Sequence, residues 1–176
     1  DSCDCKPVNE SVTQSLSELD FERGIWNAVL SNEVSRVRDF VHKGHANDRD
    51  NSGYTALHYA ARSGNEEICR ILINGNCDVN AKTNGGATPL LRAAMMGHIN
   101  IVKLLLQSNA QPDIQDQDGQ TALHRSAAKG HMNVCEELLK HTADLKFIKD
   151  NKGRTPYDLS PDNTSLKKLL AIDNEN

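Results

Sequence analysis

Three segments of the chain superimpose at a fixed spacing: Gly53-Tyr54-Thr55-Ala56-Leu57-His58, Gly86-Ala87-Thr88-Pro89-Leu90-Leu91 and Gly119-Gln120-Thr121-Ala122-Leu123-His124, each starting 33 residues after the one before. A unit this short cannot bury its own apolar face, so it must stack on copies of itself. The rest of each unit keeps the register. Ala60-Ala61, Ala93-Ala94 and Ser126-Ala127 are followed by Gly64, Gly97 and Gly130. Beyond the glycines come Ile68, Cys69, Leu72 and Ile73, then Ile101, Val102, Leu105 and Leu106, then Val134, Cys135, Leu138 and Leu139. Apolar residues at i, i+1, i+4 and i+5 form one stripe of an amphipathic helix, and the preceding glycine lets the chain reverse. Each unit is therefore expected to be a pair of antiparallel helices. Thr55, Thr88 and Thr121 stand where the first helix needs an N-cap, and Pro89 follows at a position whose amide has no helical partner.

The ends of the array are atypical, as a terminal unit with one wet face should be. Ile25 to Ser31 aligns with Leu57 to Ser63 but lacks the Thr-x-Leu-His start, and Val37, Phe40 and Val41 supply its second stripe. Downstream, Gly153-Arg154-Thr155-Pro156-Tyr157-Asp158-Leu159 begins a further unit whose first helix Pro161 cuts short, and Ser165, Leu166, Leu169 and Leu170 complete it.

On these motifs the chain is identified as a member of the ankyrin-repeat family over roughly residues 20 to 172. The resemblance implies an all-α ankyrin-repeat solenoid: antiparallel helix pairs linked by β-turn loops, with atypical capping repeats at both ends. It also implies a short, stand-alone binding protein without an attached catalytic domain. The expected organisation is a polar tail at 1–17, one domain at 18–172, and a short tail at 173–176. Within the domain the expected units are a cap at 18–49, repeats at 50–82, 83–115 and 116–149, and a terminal unit at 150–172.

Composition narrows the class. A chain of 176 residues can bury roughly 70% of its unfolded surface, so neither metal nor disulfide is needed for stability. A net charge of -4, with 24 acidic residues dispersed among 20 basic ones, argues against a nucleic-acid partner. No apolar run reaches the length of a membrane span. Cys69 and Cys135 share one repeat position and Cys77 matches Ala110, which reads as small core residues in a reducing compartment, cytoplasmic or nuclear. Cys3 and Cys5, one residue apart in the polar tail, leave metal handling as a remote reading, since two ligands do not complete a zinc site. No cofactor is expected, and the free protein is expected to be monomeric.

Catalysis is not expected, because phosphate-binding, zinc-protease and nucleophile-elbow motifs are all missing. His58 and His124 belong to the repeat motif, where the resemblance implies a hydrogen-bonding role between units. His98 and His131 follow loop glycines, and Leu91 stands where the motif has His, so the second repeat should depend more on packing.

The resemblance places the binding surface on the turn tips and the exposed side of the first helices, which line a groove. Repeat register puts Tyr54 and Arg62 there, then Ala87, Met95 and Met96, then Gln120 and Lys129, with Leu30 from the cap. Adjacent methionines beside Tyr54 suit an adaptable apolar contact. Arg92 and Arg125, at the position of Tyr59, make a basic step suited to an acidic or extended peptide, with a solvated helix face as the alternative. Leu72 to Asn80 resembles the segment in which an ankyrin loop Asn is hydroxylated, which makes Asn80 the expected acceptor. The functional expectation is a protein-binding adaptor or scaffold. A stoichiometric regulator or assembly factor that masks one client is the alternative.

Overall fold

The computed structural model describes residues 23–162 and 164–171, so Cys3 and Cys5 lie outside the described residues. Its helices come in pairs: α1 (Ile25–Leu30) with α2 (Val34–His42), α3 (Ala56–Ser63) with α4 (Glu66–Asn74), and α5 (Pro89–Met96) with α6 (Ile99–Gln107). They continue with α7 (Ala122–Ala128) and α8 (Met132–His141), then α9 (Pro156–Leu159) and α10 (Thr164–Leu170). No strand occurs among the described residues. The first helices pack in one row, α1 on α3 on α5 on α7 on α9, and the second helices α2, α4, α6 and α8 pack in a parallel row.

Local chemistry sets the starts of the first helices in the repeats. The Thr88 hydroxyl accepts from the Leu91 amide at 3.3 Å, and Thr55 and Thr121 form reciprocal capping boxes with His58 and His124. Pro89 and Pro156 occupy the first helical position. Gly64 and Gly97 end α3 and α5 at φ of +80° and +78°, and a Cβ on either would lie 2.8 Å from an atom of the His98 or His131 ring. The cap uses Asn32 at φ 56° for the same reversal. The helix starting at Pro156 spans four residues and stops before Ser160-Pro161, as the proline demands.

Between the rows runs one apolar core. Leu57, Leu90 and Leu123 from the first helices meet Ile68, Ile101, Leu105 and Leu138 from the second, each 0 or 1% exposed. Burying a side chain of this size contributes about 1.5–3 kcal/mol. Ala60, Ala61, Ala93, Ala94 and Ala127 are fully buried, which lets neighbouring first helices approach closely. Cys69 and Cys135 are in this core as the register predicts.

Candidate functional site

Each turn is organised by one polar side chain. The Asp50 Oδ1 accepts from the amides of Ser52 and Tyr54 at 2.9 and 2.8 Å, and Asp116 Oδ1 accepts from Asp118 and Gln120 at 3.0 Å each. Asp150 does the same for Lys152 and Arg154, both at 2.9 Å. In the second repeat this place is held by Thr83, whose hydroxyl accepts only the Ala87 amide, at 3.1 Å. The tips are joined from repeat to repeat: Asn84 N donates to Ser52 O at 3.0 Å, Gln117 N to Gly85 O at 2.9 Å, and Asn151 N to Asp118 O at 3.0 Å. Asn84 and Asn151 side chains add bonds to Asn51 and Gln117 carbonyls at 3.1 and 2.8 Å. This rim ties the turns of neighbouring repeats to one another. The recurrence of Asn at these positions is its sequence signal, and reading the tips only as contact residues missed it.

Nine residues after Asp50 and Asp116, the first helix presents a donor to the second carboxylate oxygen; Asp150 Oδ2 is held instead by Arg154 and Gln120. Tyr59 Oη donates to Asp50 Oδ2 at 2.6 Å, and burial together with this bond holds the phenol above its usual range. Arg125 donates through Nε and Nη2 to Asp116 Oδ2 at 2.9 and 2.5 Å and through Nη2 to Asp118 at 2.8 Å. Burial disfavours the Arg125 charge, but the two carboxylates outweigh it and hold the guanidinium above its usual range. The Asp116 side chain is only 4% exposed.

The second repeat breaks this pattern. Thr83 offers no carboxylate, and Arg92 makes no ion pair among the described residues. Its guanidinium instead lies over the Tyr54 ring of the preceding repeat, 5.0 Å from the centroid, with Nη2 donating to the Tyr54 hydroxyl. The Arg92 Nε is buried without a hydrogen-bond partner. Between Arg92 and Arg125 opens a recess of about 140 Å³, lined by Leu91, Met95, Asp116 and Gln117 among others.

The remaining candidates separate. Leu30 and Met96 are 52% and 45% exposed, whereas Met95 is half-buried on the recess wall. Arg62 and Lys129 are exposed at the ends of their helices. One assignment to this face needs correction. Gln120 is 7% exposed, and its amide points inward to Asp150 Oδ2 at 3.2 Å. Ala87, equally buried, keeps a small surface in the lining of the recess, and Tyr54 at the same repeat position is half-buried on the face, a difference that the register alone does not reveal.

The four repeat histidines and the three buried cysteines among the described residues serve the fold. His58 Nδ1 accepts the Thr55 amide at 3.1 Å, which leaves Nε2 to carry the proton and donate to Ala87 O at 2.9 Å. Burial, helped by the nearby Arg92 charge and opposed by the Ala87 carbonyl, lowers His58 to about 4. His124 repeats the arrangement with Arg154 O at 3.2 Å, and burial lowers it too. His98 and His131 reach Arg62 O and Met95 O at 3.0 and 3.1 Å. Burial pushes the thiols of Cys69 and Cys77 up to about 12 and that of Cys135 up to about 11, far from the range of a nucleophilic or metal-binding thiolate. Asn80 is bonded at both ends of its amide, Oδ1 accepting from Gln111 N at 2.8 Å and Nδ2 donating to Asn109 O at 3.2 Å. No helix among the described residues is long and apolar enough to cross a membrane.

Comparison with known proteins agrees with this construction. The family model for ankyrin repeats in three copies matches residues 25–116 and 101–174. The chain is 61% identical over 161 residues to human Ankyrin repeat domain-containing protein 39, covering 91% of this chain and 88% of the relative. It is 44% identical over 63 residues to the bovine protein of the same name, covering 35% of this chain and 34% of that one. By its period, its helix pairs and its relatives, this chain belongs to the ankyrin-repeat family, whose repeats serve as protein-interaction modules.

Proposed function

We propose that the chain is a non-catalytic adaptor that holds a partner protein on the face made by its turn tips and first helices. The observation that carries this reading is the recess between Arg92 and Arg125, walled by Met95 and flanked by a rim of inter-repeat hydrogen bonds. A rigid rim lowers the ordering cost of binding, and Met95 offers an adaptable apolar wall. Met96 and Leu30, exposed at the ends of α5 and α1, extend the apolar surface.

The test is parallel affinity purification of the intact protein and a Met95→Asp, Met96→Asp variant, after matched thermal melts. Partners lost only from the variant support the face as the binding surface; an unchanged set of partners contradicts it. An adaptor bridges two proteins that do not otherwise associate, whereas a masking factor forms a binary complex and changes its client's activity.

Modification of Asn80 is a separate proposal. The two inter-repeat bonds of its amide fix the side chain, so a hydroxylase must first loosen the loop. An oxygen added to the Asn80 peptide after coexpression with an asparaginyl hydroxylase supports it, and an unchanged mass contradicts it.

A further inference from the structure

The first and third repeats place an acidic acceptor in the turn and a donor nine residues later, and the second repeat between them keeps the donor while losing the acceptor. Asp50 pairs with Tyr59 and Asp116 with Arg125, but Thr83 cannot pair with Arg92. Arg125 grips its carboxylate through Nε and Nη2. In Arg92 Nη2 donates to the Tyr54 hydroxyl and the buried Nε has no partner, so neither of the two donors that hold Asp116 in the third repeat meets a carboxylate here. A partly buried guanidinium that has no carboxylate and keeps one orphan donor is costly unless something completes it.

We propose that the carboxylate missing from this repeat is supplied in trans: Arg92 receives an aspartate or glutamate side chain from an extended segment of the partner, inserted into the recess beside Met95. This rests on the turn face being the binding surface. Four features select the occupant. At about 140 Å³ the recess matches one side chain and is well below the size of a typical cofactor or metabolite pocket. Its other guanidinium, Arg125, is already neutralised by Asp116 and Asp118, so Arg92 is where an added carboxylate gains most. The Asp118 carboxylate, 60% exposed, repels an acid placed on the third-repeat side and directs it toward Arg92. Met95 then covers the methylenes of the incoming side chain, which favours glutamate over aspartate.

A phage-displayed library of extended random peptides, selected on the intact chain, supplies the probes. Each selected peptide is resynthesised with its acidic residues changed singly to the amide, and affinities are measured by fluorescence anisotropy. The proteins are the unmodified chain, Arg92→Gln, Thr83→Asp and Met96→Asp. One acid-to-amide change is expected to cost about tenfold or more on the unmodified chain and less than about twofold on Arg92→Gln. Thr83→Asp touches no proposed contact but installs the absent carboxylate, so it should weaken the acidic peptide about as much as Arg92→Gln while the protein melts no lower. Equal amide penalties on the unmodified chain and Arg92→Gln, or undiminished binding to Thr83→Asp, overturn the assignment. Peptides lost with Met96→Asp yet indifferent to Arg92 and Thr83 keep the face and overturn only the role of Arg92. Peptides indifferent to all three variants, or a library without binders, count against the face itself.

Discussion

The second and third repeats share a backbone path but fix it with different chemistry. In the third, Asp116 collects two turn amides and the Arg125 guanidinium, and His124 joins Thr121 to the carbonyl of Arg154 in the next unit. In the second, Thr83 collects one amide, and Leu91, 3% exposed, replaces the histidine with apolar burial. The carbonyl of Gln120 therefore receives only the Asp116 amide, where Ala87 and Arg154 carbonyls each also receive an imidazole. What the second repeat gives up in polar latching it makes up in packing, and in doing so it leaves one guanidinium unpaired on the face that meets solvent. Positions that break a repeat rule without harming the fold are where function is best sought.

Removing the acceptors should break this contrast most sharply. Asp116→Ala strands two amides and a partly buried guanidinium and is expected to cost about 4 kcal/mol, whereas Thr83→Ala is expected to cost about 1 kcal/mol. Urea unfolding of both variants reads the difference, and equal losses would show that the two turns are held alike.

Acidification comes next. The neutral form of His58 is favoured by folding, so its contribution is complete above the ordinary value of 6.5 and is lost as pH falls toward about 4. Over that window the loss amounts to about 3 kcal/mol for this one group. His124 is shifted the same way and adds to the slope. Stability measured from pH 7 to pH 4 should fall less steeply in His58→Leu than in the unmodified chain. A parallel pH profile would contradict the buried, neutral imidazole.

Thr83→Asp should raise stability by about 1 kcal/mol by giving Arg92 a partner, read as a higher urea midpoint at unchanged slope. The smallest effect is expected from Leu91→His, which exchanges apolar burial for the latch and should change stability at neutral pH by less than about 1 kcal/mol. It should nonetheless steepen the acid slope, because a third neutral imidazole would then be buried. A slope unchanged from that of the unmodified chain would indicate that the second repeat cannot form the latch.

Most of the fold was legible because its determinants are local and repeated. Thr55, Thr88 and Thr121 cap helices, Gly64 and Gly97 reverse the chain, and Pro161 ends a helix, each through its own backbone preference. The site was legible only in part. Register placed Arg92, Met95 and Arg125 on one face, but it could not tell that they meet at one recess or that Arg125 is neutralised and Arg92 is not. That distinction depends on a pairing nine residues back, between Thr83 or Asp116 and the helix, which no single motif contains. Register likewise could not separate Met96, which faces solvent, from Met95, which turns into the recess. It also brought Gln120 to the surface, although its amide turns inward to Asp150.

The most direct test of the account is affinity purification of the unmodified chain beside Thr83→Asp, a substitution expected to stabilise the fold and to touch no partner. Loss of a partner from the better-folded variant is the predicted result, because Arg92 would then be paired within its own repeat. Full retention of every partner by Thr83→Asp would show that the unpaired guanidinium has no part in binding.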